Sequence, residues 1–314
     1  MLDTLKIAFI SVAVLLISAV PGYLLVKTKK VGENAVPAFS KLLLYVASPC
    51  LVVFSFRSSP FSLEKLKGIG IFALLSLALH AVMLLCSYLL LRKKYKETIY
   101  RIITVATSFA NCAFFGIPII ESLLPERAPG LIIYTSVYAL VMNVLGWTVA
   151  SAIISGDTKY VSLKKILINP TSISTAIAFL LFITELPLFP ELDNVIGITG
   201  KMCTPLSMII MGMRLATIKL STLFKNPRIY LTVATKQILM PLVAFALVIL
   251  LPIDSGMKAA LFIISACPVA SVVLNYSELV GEGQREAANT LLLGTILSII
   301  TLPIMMLLLQ FIGV

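Results

Sequence analysis

Ten long apolar stretches follow one another along the chain, each bounded by charged residues or by clusters of proline and glycine. A helix needs about 20 mainly apolar residues to cross the hydrocarbon core of a bilayer. Of all residues 59% are hydrophobic and 12% are charged, against about a quarter charged in an average soluble domain, so a water-soluble globule is excluded. The sequence therefore predicts an all-α polytopic membrane protein with ten transmembrane helices. The predicted spans are residues 5–26, 34–56, 68–91, 99–124, 129–155, 167–187, 192–216, 228–251, 256–280 and 287–312.

The first apolar stretch could also be a cleaved signal peptide, but it continues past Pro21 to Val26, which is long for a signal core. We therefore interpret it as a span. All five cysteines lie inside apolar stretches, without a C-x-x-C pair. Free cysteine packs as a small hydrophobe, so we expect packing roles, with no metal site and no cofactor.

Lysine and arginine outnumber aspartate and glutamate by 25 to 14. When the loops are assigned to alternate sides of the predicted membrane, most of the basic residues fall on one side. Clusters at residues 27–30, 92–96 and 159–165 fall on one side, and few basic residues fall on the other. Because basic loops are usually cytoplasmic, we expect both termini to be extracytoplasmic and the protein to lie in the cell inner (plasma) membrane. The excess of basic residues is thus explained by their position in cytoplasmic loops, and no nucleic-acid partner is expected.

The two halves of the chain carry matching residues at a constant offset of 156 or 157 positions. Five spans per half is an odd number, so the second half would be inserted upside down relative to the first. Such inverted repeats place a binding site near the bilayer midplane. The predicted units are a first five-helix repeat at 1–155, a cytoplasmic linker at 156–166 and a second, inverted repeat at 167–314. The matches are Ser48-Pro49 with Thr204-Pro205, Arg57 with Arg214, and Ser108 with Ser265.

The fourth and ninth spans contain residues that disrupt helices in mid-membrane. Proline removes a backbone donor, and glycine and asparagine tolerate non-helical backbone. Non-helical backbone at this depth must be buried in protein or line a wet cavity. A simple proline kink without a ligand is the alternative, and the repetition in both halves favours a true break. The residues concerned are Asn111, Gly116 and Pro118 in the fourth span, and Pro268, Ser271 and Asn275 in the ninth.

Three motifs together resemble the auxin efflux carrier family and its bacterial members. They are Asn111-x-x-x-x-Gly116-x-Pro118, Pro268-Val-Ala-Ser-Val-Val and Asn169-Pro170. The chain is similar, more distantly, to the bile-acid/sodium symporter-like and sodium/proton antiporter folds. The resemblance implies crossed broken helices, and a scaffold and a transport domain that move against each other as an elevator. It also implies transport of small carboxylates such as malonate or malate, as in bacterial members; plant members export indole-3-acetate.

The resemblance assigns roles to a few positions. Asn111 matches the asparagine that follows the crossover, and Asn143, four residues before Trp147, matches a polar residue of the fifth helix. Pro268 matches the crossover proline of the second half. Ala110 stands where the family has the crossover proline of the first half, so this chain departs from the pattern there. Elevator-type relatives are often dimers, which implies a homodimer.

No acidic residue is predicted at the centre of a span, so coupling to Na⁺ or H⁺ through an intramembrane carboxylate lacks its main component. His80, Lys201 and Lys236 are the candidate intramembrane cations, and Arg57 and Arg214 are expected at interfaces. Positive charge without central acidic residues suits the binding of a small organic anion. The expected partners are therefore a small organic anion and the lipid bilayer. The candidate substrate-binding residues are Asn111, Asn143, Ser108, Ser271 and Asn275, and the candidate helix-break residues are Ala110, Gly116, Pro118 and Pro268.

Several alternatives remain open. The asparagines could cap half-helices or join neighbouring helices rather than contact a ligand. Transport could be uncoupled, driven by the membrane potential, or coupled to Na⁺ or H⁺ through carbonyls and hydroxyls. A channel or a non-transporting solute sensor would use the same kind of site. An enzyme is not expected, because the chain has one histidine and no H-E-x-x-H or G-x-S-x-G motif.

Overall fold

The computed structural model describes residues 17–217 and 226–313, together with residues 6, 9, 10 and 13–15. All regular elements in these residues are helices, and the one pair of β-type hydrogen bonds is an isolated bridge. Parts of the predicted span 5–26 and residues 218–225, which follow the predicted span 192–216, lie outside the described residues. The helical architecture follows from the apolar sequence, because a helix satisfies its backbone groups internally where no water is available.

Many helices begin where the sequence supplies a capping side chain. Ser62, Asn169 and Asp254 each accept a hydrogen bond from a backbone N–H two or three residues ahead. The helices before the predicted linker are α1 (Val20–Lys27), α2 (Val36–Leu42), α3 (Ser48–Arg57), α4 (Leu63–Leu91), α5 (Thr98–Ala106), α6 (Ile117–Leu123), α7 (Ala128–Leu145) and α8 (Ser151–Ser155). Those after it are α9 (Leu163–Leu167), α10 (Pro170–Thr184), α11 (Pro190–Lys201), α12 (Cys203–Ala216), α13 (Pro227–Ala234), α14 (Met240–Ile249), α15 (Ser255–Ala266), α16 (Val272–Val280) and α17 (Gln284–Met306).

In the described part of the chain, four π-helical turns interrupt or precede these helices, and the wider turn rotates the side chains that follow it. The turns are Leu43–Ala47, Cys112–Gly116, Gly146–Ala150 and Thr235–Leu239.

Seven continuous helical segments within the described residues are long and apolar enough to cross a membrane, so the protein is a multi-pass membrane protein. The other three predicted spans correspond to shorter apolar helices, which are Ala13–Lys27, Cys112–Leu123 and Ser255–Ala266. The ten-span topology therefore stays a prediction. The seven long segments are Glu33–Arg57, Leu63–Lys94, Pro125–Ser155, Thr158–Thr184, Pro190–Ala216, Pro227–Ile249 and Gln284–Phe311.

The fourth and ninth predicted spans are both interrupted, at residues 107–111 and 267–271. The two interruptions pair with each other as an antiparallel bridge between Ala110 and Val269. The Asn111 N–H donates to the Pro268 carbonyl at 2.8 Å, and the Ala270 N–H donates to the Phe109 carbonyl at 2.9 Å. Each unwound segment thus satisfies part of the backbone of the other in a buried environment.

The break in the fourth span lies ahead of two residues predicted to form it. Gly116 ends the π-helical turn and Pro118 is the second residue of α6, so both lie inside the continuous helix Cys112–Leu123. Proline is tolerated in the first turn of a helix, where its missing N–H has no intrahelical partner. The expectation that Gly116 and Pro118 mark the break is therefore corrected, whereas Ala110 and Pro268 lie in the paired segments.

Helices α1 and α12 cross at very short distance through two glycines. A methyl group added at Gly212 would collide with the Ala19 carbonyl and lie 2.9 Å from the Tyr23 nitrogen. A methyl group at Gly22 would collide with the backbone of Ile209. Close backbone approach through small residues is a usual way for membrane helices to associate.

Gly212→Ala is expected to destabilise the protein by about 1–3 kcal/mol, because the backbones of α1 and α12 must move apart. Gly70→Ala is the matched control, since Gly70 also lies in an apolar helix but has open space where the methyl group would go. Melting temperatures of both purified variants check this. Equal melting temperatures would show that the crossing can relax without cost.

Candidate functional site

A cavity of about 260 Å³ lies beside the crossing of the two unwound segments. Its wall contains residues from both breaks and from three other parts of the chain: the middle of the second span, α7, and the start of α10. The polar residues that line it are Asn111, Asn143, Asn169, Thr171, Ser271, Asn275, Tyr45 and Tyr276. None of its lining residues is acidic or basic.

Asn111 forms hydrogen bonds that stabilise the first break, and it also lines the cavity. Its side-chain oxygen Oδ1 accepts a hydrogen bond of 3.1 Å from the Phe114 N–H, which caps the helical segment that begins at Cys112. Its backbone N–H pairs with Pro268. Its Nδ2 group has no partner among the described residues, and Asn111 lines two cavities. The capping role and ligand contact are therefore compatible, because they use different atoms of the amide.

Asn143 connects α7 to the start of α10. Its Nδ2 group donates to the Ser172 hydroxyl at 2.9 Å and more weakly to the Ile166 carbonyl at 3.4 Å. Its Oδ1 atom has no partner among the described residues. Asn143 thus contributes mainly to the architecture of the wall.

The second break supplies the Ser271 hydroxyl and the Asn275 amide. Neither side chain makes a hydrogen bond to another described residue, and Asn275 is exposed. Both groups can donate to a ligand.

Unpaired backbone N–H groups add to these donors. Ser271 and Val272 line the cavity, and their backbone N–H groups have no hydrogen-bond partner among the described residues. Such groups arise because the first turn of a helix has no intrahelical acceptors for its donors. Helical segments begin at Cys112, Val272 and Pro170, and each start lines the cavity. The partial positive charges of three helix N-termini therefore converge on a space without acidic residues.

The cavity lining also contains the aromatic side chains of Tyr45, Phe114 and Tyr276. The Tyr276 ring packs edge-on against Trp147 with centroids 5.1 Å apart, and its hydroxyl is buried without a partner among the described residues. A methyl group at Gly146 would collide with this hydroxyl. Sequence reasoning missed Tyr276 and Tyr45, because neither lies in a motif; Asn169 was noted only as part of one.

Several predicted residues lie away from this cavity. The Ser108 hydroxyl is buried and donates to the Thr104 carbonyl at 3.1 Å. Lys201 is exposed, with its ammonium 5.9 Å from the centre of the Phe54 ring. His80 and Lys236 are fully buried but do not line the cavity.

The two repeat-related arginines have different surroundings. Arg57 forms an ion pair with Asp193 at 2.7 Å. Arg214 lies half-buried beside a smaller cavity of about 30 Å³, which Asn111 and Ser271 also line. Its guanidinium makes one weak contact of 3.4 Å to the Ser40 hydroxyl, and its Nε atom has no partner among the described residues. Arg214 therefore adds positive charge close to the crossing.

A family model described as membrane transport protein matches the chain in two segments, residues 7–164 and residues 157–306. No curated protein matches the chain. The two segments together span nearly the whole sequence.

Proposed function

Because the chain belongs to the membrane transport protein family, the family of auxin efflux carriers, we propose that it is a secondary transporter of small organic anions. Carboxylates are the substrates that the site suits best. The observation that carries this proposal is the cavity at the crossing, where helix starts and amide donors converge without any acidic residue. Donors held in place in this way stabilise an anion without a bound cation.

The size of the cavity favours a small substrate. Its volume of about 260 Å³ is below the ~300–1,000 Å³ of pockets for drug-sized ligands. The Tyr45, Phe114 and Tyr276 rings in its lining give the carbon skeleton an apolar surface, while side chains such as Asn111 and Ser271 supply polar groups. A carboxylate with a short carbon chain fits both surfaces.

Helix packing supports movement of two bodies against each other. Helix α1 packs on α12, and α3 packs on α10 and α11, so we assign α1–α3 and α10–α12 to a scaffold. The remaining helices carry the crossing and form the transport domain. We propose that this domain moves as an elevator, with two inverted repeats of five spans. We further propose a homodimer in the plasma membrane, with both termini extracytoplasmic.

The driving force follows from charge. With no carboxylate in the cavity to hold Na⁺ or H⁺, the membrane potential acts directly on the anion. Moving one charge through 100 mV is worth about 2.3 kcal/mol. The potential therefore favours export of the anion.

Counterflow in proteoliposomes tests the proposal. Purified protein is first screened with mono- and dicarboxylates for an increase in melting temperature, and each stabilising compound is then assayed as a labelled substrate. We expect saturable uptake with counterflow, without a requirement for Na⁺ or a pH gradient, and with a rate that responds to an imposed potential.

Each other outcome identifies a different function. Steep Na⁺ or pH dependence would show a coupled symporter. Flux that does not saturate would show a channel, and binding without flux would show a sensor. Any of these results would overturn the proposed uncoupled transport.

A further inference from the structure

A second polar centre, separate from the lining of the substrate cavity, lies where a lysine of the eighth predicted span meets the break in the ninth. Lys236 lies in the π-helical turn Thr235–Leu239 and is fully buried. Its ammonium nitrogen Nζ donates to the Ser265 carbonyl at 2.7 Å and to the Cys267 carbonyl at 2.8 Å. These carbonyls belong to the last turn of α15 and to the unwound residues that follow it. The ammonium group therefore occupies the C-terminal end of a half-helix.

No carboxylate of a described residue balances the charge of Lys236. None of the ion pairs between described residues includes Lys236. The titratable groups that interact with it electrostatically are the thiols of Cys112 and Cys267 and the imidazole of His80. Burying an ammonium group costs free energy unless oxygen atoms of the protein replace the water molecules that hydrate it. The free carbonyls and the partial negative charge at the end of α15 supply that replacement.

Lys236 is also held in position by its neighbour. The Gln237 amide donates to the Gly294 carbonyl at 2.6 Å and accepts from the Thr301 hydroxyl at 2.9 Å, which ties the π-helical turn to α17. The ammonium group is thus directed at the break by an anchored backbone.

A related arrangement exists at the first break. His80 lies 156 residues before Lys236, the same offset that relates the other matched positions. Its ring lies against Phe109 with centroids 5.6 Å apart, and its Nδ1 atom is 2.7 Å from the Ser76 carbonyl. Each break is therefore approached by a basic side chain from the preceding span.

In broken-helix transporters, unwound carbonyls and half-helix C-terminal ends are the groups that coordinate a coupling cation. We propose that Lys236 is a tethered cation that fills a monovalent-cation site at the end of α15, and that removing its side chain opens this site to Na⁺, Li⁺ or NH₄⁺. The consequence, transport without a coupling cation, rests on the proposed function. The cation site itself does not.

Thermal unfolding of the purified full chain tests the site without any substrate. Wild type, Lys236→Ala and Lys236→Met are melted in choline chloride, NaCl, LiCl, KCl and NH₄Cl at equal ionic strength. We expect the Ala variant to gain about 3 °C or more, saturably, from at least one small cation relative to choline. Wild type and the Met variant, whose side chain fills the space without charge, should not respond.

Two results would overturn the proposal. One is specific stabilisation of wild type by a small cation, which would show that Lys236 does not occupy the site. The other is an Ala variant that responds to none of the cations. If the Ala variant does not fold in choline, the folded yield after extraction in NH₄Cl or NaCl is the readout, and an equally low yield in every salt counts against the proposal. Absence of carboxylate flux would contradict the proposed function but leave the melting result interpretable.

Discussion

Replacing Asn111 with aspartate is expected to lower carboxylate transport by about 100-fold or more while the protein stays folded. Aspartate keeps the Oδ1 acceptor that caps the segment at Cys112 through the Phe114 N–H. It replaces the unpaired Nδ2 donor with an anionic oxygen that faces the cavity. Like charges placed side by side cost several kcal/mol, which corresponds to a loss of this size. Counterflow and the melting temperature of the same preparation measure the two effects.

Two further variants make this test specific. Asn111→Ala removes both the cap and the donor without adding charge, so a smaller loss of about 10-fold is expected, together with a lower melting temperature. Asn226→Asp is the matched control, because Asn226 caps α13 through the Arg228 N–H and does not line the cavity. It should transport like wild type. Normal transport by Asn111→Asp would remove Asn111 from the binding site.

The helical architecture could be predicted because membrane burial makes the sequence pattern strong. Long apolar segments separated by charge can only be helices in a bilayer that offers no hydrogen bonds. The position of the fourth-span break was harder to predict, because Gly116 and Pro118 are the local helix breakers and yet lie in a helix. The break is at Ala110 because that residue pairs with Val269, far along the chain. A tertiary contact here outweighs local propensity.

Part of the candidate site could also be predicted from the sequence, because polar residues stand out within apolar spans. Three such residues, Asn111, Ser271 and Asn275, line the cavity. Their contact with a substrate stays a prediction. Ser108 has the same character, but its hydroxyl is satisfied within its own helix. Tyr276 was not predicted, because the sequence does not show that its hydroxyl group is buried without a partner among the described residues. Only packing distinguishes these cases.

The crossing itself can be tested with proline at neighbouring positions. Ala270→Pro is expected to destabilise the protein by about 3 kcal/mol or more and to abolish transport. Proline removes the N–H that donates to the Phe109 carbonyl at 2.9 Å, one of two hydrogen bonds that join the unwound segments. The Phe109 carbonyl would then lose its partner in a buried environment. Melting temperature, folded yield and counterflow measure the loss.

Ala110→Pro is the matched control on the opposite segment. The Ala110 N–H donates to no described backbone carbonyl and has the Tyr138 hydroxyl as its neighbour, so proline there removes no hydrogen bond of the bridge. The auxin efflux carrier family has its first crossover proline at this position, and a compatible proline changes stability by about 1 kcal/mol or less. Ala270→Gly, which keeps the N–H and removes only the methyl group, should also transport. If Ala110→Pro were as damaging as Ala270→Pro, the steric bulk of proline and not the lost hydrogen bond would explain the effect. Wild-type transport by Ala270→Pro would show that the paired segments do not need this hydrogen bond to hold the site.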